Sequence, residues 1–323
     1  AARGAPGAAP PAGAGGGDWA ELEELKRERA ARSGCYATRL AALEEPEWRP
    51  ARVLSVRDEA PGVRSVVLDC ETSRQLVPLQ SAYCQVGQRA QVKVQGLEPE
   101  AVPPASPPFP AEGAQGHVLW KLKGDLFAHE VKEQEEAISV RSELHLLAER
   151  QAAPLTFALQ AGEEVELGPF RGGGMPLVGD TLQHVWAHPT VVLLAEGPAG
   201  IAAARALLEA GCGPGGVCLG LRDEVRLFYK VERAADACFQ ELYGDWERDH
   251  GAKVTVHTGS FLEAWDEDDE LEYDPAQTAV VVFGGEEAEE AARELCQEAD
   301  VEKLVYGFDE GERLKFLDST DQV

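Results

Sequence analysis

The sequence predicts two domains, a small antiparallel six-stranded β-barrel followed by a five-stranded parallel sheet with helices on both faces. Between Trp48 and about residue 180, short alternating apolar strands are separated by turn residues, which is typical of a small barrel. From Thr190 onward, apolar strands alternate with helical stretches, which is typical of a parallel sheet covered on both sides. We therefore expect the two domains at residues 48–180 and 190–308.

The length and composition fit a globular protein with two cores. The chain has 323 residues, of which 44% are hydrophobic, and no apolar run approaches the roughly 20 residues of a membrane span. The formal net charge of −27 argues against binding to nucleic acid or to an anionic lipid surface. The seven cysteines are scattered without a Cys-x-x-Cys pair. We therefore expect free thiols in a reducing compartment, with neither a disulfide framework nor a metal site.

The residues ahead of the barrel divide into two parts. Residues 1–17 are almost entirely Ala, Gly and Pro, so we expect them to be disordered. They fit the remainder of a cleaved targeting peptide, and a simple linker is the alternative. Residues 18–47 form a predicted helical extension, in which Asp18 is the N-cap of the helix. The apolar stripe of this helix consists of Trp19, Leu22 and Leu25. The stripe packs either on the chain's own barrel or on a partner protein.

The barrel region is predicted to contain several strands and one helix. The strands are expected at residues 52–56, 63–68, 85–94, 117–122 and 163–167. Residues 131–151 are helical in composition. Within that stretch Ser142 precedes the run Glu143–Leu147, where a hydroxyl and the N–H groups of a helix start would bind a phosphate. The alternative is that Ser142 is an ordinary helix cap.

The second domain opens with a strand, a glycine turn and a helix. The apolar run from Thr190 ends at Gly197, and Pro198 suits the first turn of a helix because its missing N–H needs no partner there. The turn ends at Gly200, and Gly211 is a natural stop for the helix. Such a turn either holds a phosphate, as in nucleotide-binding domains, or is an ordinary strand–helix connection.

Four further strands complete the predicted parallel sheet. They are expected at residues 225–229, 253–257, 278–283 and 303–306, with helices at 234–249 and 285–298 and an acidic loop at 262–277.

Four segments of the barrel resemble those of the ferredoxin–NADP reductase family. They are Tyr83–Gln88, Ala105–Pro108, Ala161–Leu167 and Gly168–Phe170. The order of a barrel followed by a nucleotide-binding-type sheet is similar to that family over roughly residues 48–308. The Ala-Ser-Pro-Pro segment is also similar to the plant "fruit protein" branch. The resemblance implies a flavin oxidoreductase fold with FAD and NAD(P)H as the candidate cofactors.

The resemblance places the flavin site on the barrel, where the family's Arg-x-Tyr/Phe-Ser/Thr motif corresponds to Pro104–Phe109. This stretch has no arginine and no aromatic residue in register, so Ser106 and Ser142 remain as the candidate flavin contacts. The loss of a charge-assisted bidentate donor typically costs about 1.5–3 kcal/mol. The family's terminal aromatic residue corresponds to Tyr306 or Phe308, and residues 309–323 are a C-terminal extension beyond it.

The resemblance also locates the nicotinamide nucleotide site, and its motif residues are replaced. The glycine-rich turn corresponds to Gly197–Gly200, and the family's Cys-Gly pair falls on Phe283-Gly284. We expect Phe283 to fill the space that a nicotinamide ring needs. Lys230 and Arg233 are the cations left to contact a 2′-phosphate.

Because the strand framework is kept while these motifs are replaced, the sequence favours a catalytically degenerate accessory subunit of a larger assembly. We expect this assembly to be a photosynthetic complex. We expect it in a plastid, on the stroma side of the chloroplast and peripheral to the thylakoid membrane, with a mitochondrial or cytosolic location as the alternative. The competing functions are an active flavin-dependent NAD(P)H oxidoreductase with a non-ferredoxin acceptor and a flavin-binding module without pyridine nucleotide activity.

The acidic run 263–274 is the predicted docking segment for a partner with a basic surface. Its aromatic residues Trp265 and Tyr273 are expected to supply the desolvated contact. The alternative is a solvated loop without a partner.

Overall fold

The computed structural model describes residues 48–74, 83, 85–108, 138–172, 174–175, 177, 180–212 and 216–307. The strands are β1 (Arg49–Ala60), β2 (Val63–Arg74), β3 (Arg89–Lys93), β4 (Glu100–Val102), β5 (Ile138–Glu149), β6 (Glu164–Arg171), β7 (Thr190–Glu196), β8 (Glu224–Lys230), β9 (Ala252–His257), β10 (Thr278–Phe283) and β11 (Lys303–Val305). The α-helices are α1 (Pro154–Ala158), α2 (Gly197–Leu208), α3 (Tyr243–His250), α4 (Phe261–Asp266) and α5 (Glu286–Glu298). In the described part of the chain, no helix is long and apolar enough to cross a membrane.

The first six strands form one antiparallel sheet that closes on itself. Their order is β4-β3-β6-β1-β2-β5. Beyond β4, the chain crosses to the other edge, where Pro104 forms a bridge with Leu146 of β5. The N–H of Ala105 donates to the carbonyl of His145 at 2.7 Å, and the N–H of Leu147 donates to Pro103 at 3.1 Å. These bonds join the two edges, so the predicted six-stranded barrel is confirmed.

The last five strands form a parallel sheet in the order β11-β10-β7-β8-β9. Val191 and Val281 lie on the adjacent strands β7 and β10, as the alternation of strands and helices predicted. Helix α2 covers one face of the sheet, and helices α4 and α5 cover the other. The chain reverses its strand order between β7 and β10, and in such sheets ligands bind in the crevice at that point.

Strand β5 occupies residues 138–149 of the stretch 131–151 that was predicted to be helical, so that prediction is wrong there. Residues 131–137 lie outside the described residues. Leu144, Leu146 and Ala148 point into the barrel core, whereas Leu147 points into the core shared with the second domain. Since both faces of this strand are buried around Leu144–Ala148, its sequence lacks the alternation of apolar and polar residues that marks a strand and resembles that of a helix.

Three other predicted elements differ in the structure. The acidic loop at 262–277 begins with helix α4, whose start is a capping box between Ser260 and Glu263. The helix expected from residue 234 begins only at Tyr243, after two short 3₁₀ turns. The strand expected at 85–94 is shorter, and the strand expected at 117–122 lies outside the described residues.

The prediction of free thiols is also wrong for one pair of cysteines. Cys212 and Cys218 form a disulfide, with their Cα atoms 4.4 Å apart. The spacing of six residues is not a recognisable disulfide pattern by itself. Cys70, Cys238 and Cys296 are buried and not paired in a disulfide.

Arg226 anchors residues 263–274, which we call the acidic segment, to the parallel sheet. Its side chain is only 1% exposed and contacts the carboxylates of Glu224 and Asp268, the latter at 2.8 Å. It also donates to the backbone carbonyl of Glu270 at 3.0 Å. A buried guanidinium needs such partners because an unpaired charge in the interior is costly. The Asp268 carboxylate and the Glu270 carbonyl therefore tie this segment to β8.

We expect Arg226→Met to lower the free energy of unfolding by about 3 kcal/mol or more, because it removes one partner of a buried ion pair. Lys253→Met is the matched control, since Lys253 forms an exposed pair with Glu270 in the same segment. The control should cost less than about 1 kcal/mol. Urea unfolding of both variants measures the difference, and equal losses would contradict the anchoring role of Arg226.

Candidate functional site

The candidate site is the crevice at the carboxyl ends of β7 and β10. Glu196 ends β7, and Gly284 follows β10. The two lie close together, because a Cβ atom on Gly284 would be 3.5 Å from a carboxylate oxygen of Glu196. Helix α2 begins at the next residue, Gly197, so the crevice lies beside the start of a helix buried along most of its length.

The glycine turn meets two of the backbone requirements of a dinucleotide-binding turn. Gly197 has a φ of +65°, which residues with a Cβ rarely adopt, and the space around it is open. Gly200 allows the helix to approach the sheet, since a Cβ there would lie 2.5 Å from the carbonyl oxygen of Phe283. These are two of the roles that glycines have in dinucleotide-binding turns, a tight turn and close packing of the helix on the sheet.

The side chains at this turn form an internal ion pair. Lys230, at the end of β8, donates to the Glu196 carboxylate at 2.7 Å. The ammonium group also lies 5.8 Å from the centre of the Phe261 ring. Glu196 occupies the N-cap position of α2, but its side chain forms no hydrogen bond to the helix. Its carboxylate binds Lys230 instead. The sequence predicts Lys230 as a contact for a 2′-phosphate, whereas the structure pairs it with Glu196, for which no sequence pattern is a signal.

The second predicted cation, Arg233, also has an acidic partner. Its guanidinium donates two hydrogen bonds to Asp236, at 2.9 and 2.7 Å. The hydrogen bonds from Arg233 hold the pKa of Asp236 below its ordinary value. Arg233 is largely exposed, and this pair is therefore a weaker constraint than the one between Glu196 and Lys230.

Phe283 is buried at the end of β10. It is 4% exposed and belongs to the core between the two domains, together with Val281 and Ile201. The residue next to Gly284 in the crevice is thus an apolar side chain packed into the core rather than a thiol. That Phe283 excludes a nicotinamide ring stays a prediction.

The barrel serines predicted to contact a flavin have structural partners. The hydroxyl of Ser106 accepts the N–H of His145 at 3.1 Å, and its carbonyl accepts the Tyr83 hydroxyl at 2.5 Å. Ser142 lies in the middle of β5, opposite Cys70 on β2. The prediction that Ser142 precedes a helix is therefore wrong, and its position offers no helix N-terminus to a phosphate.

Of the two aromatic residues predicted to cover a flavin ring, Tyr306 and Phe308, the structure describes only Tyr306. Tyr306 packs beside α5, where the Arg293 guanidinium lies 5.0 Å from its ring centre. Phe308 lies outside the described residues, as do Trp19, Leu22 and Leu25.

The two aromatic residues of the acidic segment differ in exposure. Trp265 is 6% exposed and packs against Phe228 of β8, so the expectation that it anchors a partner from the surface is wrong. The periodic burial of Phe261, Ala264 and Trp265 along α4 explains this position. Tyr273 is 37% exposed and packs edge-on against Trp265.

A polar cluster between the two domains was not predicted. Nη2 of Arg205, on α2, lies 3.2 Å from Nδ1 of His145 on β5. Nε of the same guanidinium donates to the Glu209 carboxylate at 2.7 Å. Burial, followed by the nearby charges of Arg205 and Arg57, lowers the pKa of His145 to about 4. In the sequence, the polar His145 within the apolar run Leu144–Leu147 is a signal for this cluster.

Comparison with solved structures identifies the fold. The cytochrome P450 reductase GcoB of Amycolatopsis is similar with 17% identity and a TM-score of 0.50, over 81% of this chain and 70% of that one. The flavohaem-like FAD/NAD-binding domain of nitric oxide dioxygenase from Vibrio cholerae O1 biovar El Tor has 15% identity and a TM-score of 0.52, over 80% and 97%. The CS-b5R domains of human Ncb5or have 14% identity and a TM-score of 0.53, over 82% and 70%.

These comparisons confirm the expected ferredoxin reductase-like fold, with its FAD-binding-type barrel and NAD-binding-type sheet. No protein-family model matches the chain, and no curated protein sequence matches it. The plant "fruit protein" branch stays a prediction.

The residues present fit a dinucleotide only in part. The backbone of the glycine turn suits a pyrophosphate, but the carboxylate of Glu196 opposes one. Ser106 and Ser142 provide no cation for a flavin pyrophosphate. In the described part of the chain, no group of three or more His, Cys, Asp or Glu side chains is placed to hold a metal ion.

We expect protonation of His145 to destabilise the folded chain. Its folded pKa of about 4 lies below the ordinary value of 6.5, so the unfolded chain binds the proton first as the pH falls. Stability is therefore lost between about pH 6.5 and pH 4, by about 2 kcal/mol at pH 4.5. Urea unfolding at pH 7 and pH 4.5 should show a smaller pH-dependent loss in His145→Gln than in the wild type. The exposed His184 gives the control His184→Gln, which should follow the wild type; a His145→Gln variant that also follows it would contradict the assignment.

Proposed function

We propose that this chain is a catalytically degenerate, ferredoxin reductase-like accessory protein that does not take hydride from a pyridine nucleotide. The observation that supports this most is the ion pair between Glu196 and Lys230 at the switch point of the parallel sheet. It puts a carboxylate at the residue that precedes α2, next to the N–H groups that would receive a pyrophosphate.

Electrostatics explains why this carboxylate matters. Two like charges about 4 Å apart repel by about 4 kcal/mol at an effective dielectric constant of about 20. Lys230 is the cation that would offset this repulsion, and it is already bonded to Glu196. A bound pyrophosphate would have to compete for Lys230 or displace the Glu196 carboxylate, and either change costs binding free energy.

The second candidate is an active flavin-dependent NAD(P)H oxidoreductase with an acceptor other than ferredoxin. It is favoured by the backbone of the turn, since Gly197 and Gly200 meet two of the backbone requirements of a dinucleotide-binding turn. It is also favoured by the likeness of fold to a cytochrome P450 reductase and to an FAD/NAD-binding domain. In this case FAD would supply the electron-carrying ring, and Phe283 would have to leave room for a nicotinamide.

The proposed accessory role includes a partner protein with a basic surface. The net charge of −27 favours such a partner and disfavours strongly acidic ones. Because Trp265 is buried, the contact would use Tyr273 and the carboxylates of the acidic segment. A plastid location within a larger assembly, on the stroma side of the thylakoid membrane, remains part of this proposal.

We expect the wild-type chain to bind NADPH with a dissociation constant above about 1 mM, and Glu196→Gln to bind about tenfold more tightly. The physical reason is the removal of one negative charge from the helix start. Asp236→Asn is the matched control, because it frees Arg233 without changing the crevice carboxylate. Isothermal titration calorimetry measures all three chains.

Two results would contradict this function. Micromolar binding of NADPH by the wild type would favour the second candidate. An equal gain in affinity from Asp236→Asn and Glu196→Gln would mean that overall charge, rather than the crevice carboxylate, limits binding.

A further inference from the structure

The barrel segment that corresponds to the flavin motif is buried by the chain itself. The resemblance places that motif at Pro104–Phe109, of which the structure describes residues 104–108. Pro104 is buried, Ala105 is 0% exposed and Ser106 is only 8% exposed. A residue that stacks on a flavin ring or contacts its pyrophosphate needs a surface that the ligand can reach. In this segment, other residues of the chain cover that surface.

The polar groups of the same segment close the barrel. Ala105 donates its N–H to the carbonyl of His145 at 2.7 Å, and the hydroxyl of Ser106 accepts the N–H of His145 at 3.1 Å. Pro103 and Pro104, which precede them, have no N–H to offer a phosphate. A flavin that used the groups of Ala105 and Ser106 would have to break the bonds that join the two edges of the barrel, and a buried polar group without its partner is costly.

The side chain of Ala105 belongs to the apolar core that the two domains share. This core also contains Val86, Met175 and Leu177, each at most 3% exposed. Backbone hydrogen bonds hold these residues in place, since Met175 donates to the carbonyl of Val86 at 2.8 Å and Leu177 donates to that of Met175 at 2.9 Å. On the side of the second domain, helix α2 packs on β5. Because protein interiors are close-packed, a three-ring flavin cannot enter this core without separating side chains that are in contact.

A carboxylate already occupies the start of helix α1, beside this segment. Glu100 lies on β4, which leads into Pro103. Its carboxylate accepts the N–H groups of Leu155 and Thr156 at 2.9 and 2.7 Å and the Thr156 hydroxyl at 2.8 Å. A flavin pyrophosphate at this position would be repelled by the carboxylate and would find these donors in use.

We propose that this internal packing takes the place of a flavin, so that the folded chain binds no FAD. The two domains are then joined directly through the shared core, and the barrel closes without a cofactor. The proposal goes beyond the proposed function, because a chain that takes no hydride from NADPH could still hold a flavin. It also argues against a flavin-binding module without pyridine nucleotide activity.

The test measures binding of FAD to the full chain by equilibrium dialysis and by thermal unfolding, with an FAD-binding reductase of the same fold as the positive control. The purified wild type should show no visible flavin bands and should retain no FAD at about 100 μM, as expected for a dissociation constant above about 1 mM. FAD should shift the melting temperature by less than about 1 °C, whereas a ligand at about 100 times its dissociation constant raises it by about 5–10 °C.

A matched pair of variants tests whether the shared core fills this position. Leu177→Ala truncates a buried side chain of the core, and Leu97→Ala truncates one that is 51% exposed. We expect Leu177→Ala to lower the melting temperature by about 5–15 °C and Leu97→Ala by less than about 3 °C. FAD should not restore the temperature that Leu177→Ala loses, because the polar groups of Ala105 and Ser106 remain bonded within the barrel.

Three results would overturn the proposal. Stoichiometric FAD in the purified wild type, or micromolar binding of added FAD, would reveal a flavin site. Equal losses in Leu177→Ala and Leu97→Ala would mean that the core does not join the domains here. A melting temperature of Leu177→Ala that rises by several degrees with FAD would mean that a flavin fits in that space. The first result is read on the wild type, so it is decisive even if Leu177→Ala does not fold. Tight binding of FAD with weak binding of NADPH would overturn this proposal and leave the proposed function in place.

Discussion

Helix α2 packs between the parallel sheet and the barrel, and this packing fixes the positions of both domains' neighbouring elements. Every residue of this helix from Gly200 to Leu208 is buried. On one side Gly200 lies under the carbonyl of Phe283, and on the other Arg205 contacts His145 of the barrel. Small side chains make this double contact feasible, since a larger residue at Gly200 would clash with backbone. The helix therefore fixes both the crevice at its start and the interface between the domains.

The packing of α2 explains why the glycines of the turn can be retained although charged side chains line the crevice beside them. The glycines of the turn are required by packing and by the left-handed backbone at Gly197, whether or not a nucleotide binds. Glu196 and Lys230, by contrast, are side chains at strand ends, where substitution does not disturb the core. A glycine turn in this fold is thus weak evidence for a nucleotide, and the charges around it are stronger evidence on what the crevice accepts.

The sequence predicted the two sheets because alternation and the strand–helix pattern are local signals. It did not predict β5, because burial on both faces removed the alternation from Leu144–Leu147. The pairing of Glu196 with Lys230 depends on the register of two parallel strands, which no local pattern provides. The burial of Trp265 could have been predicted from the sequence, because Ser260 and Glu263 have the spacing of a capping box at the start of a helix with an apolar stripe. The contact of Arg205 with His145 joins residues of two domains and requires the packed structure.

A chain that does not take hydride from a pyridine nucleotide, as we propose, cannot reduce flavin with NADPH, so flavin reduction under anaerobic conditions is the decisive measurement. The full chain is incubated with excess FAD, NADPH is added, and the visible band of oxidised flavin is followed over time. We expect the band to decay no faster than it does with FAD and NADPH alone. Rapid loss of the band in the presence of the wild-type chain would show instead that the protein is an active oxidoreductase.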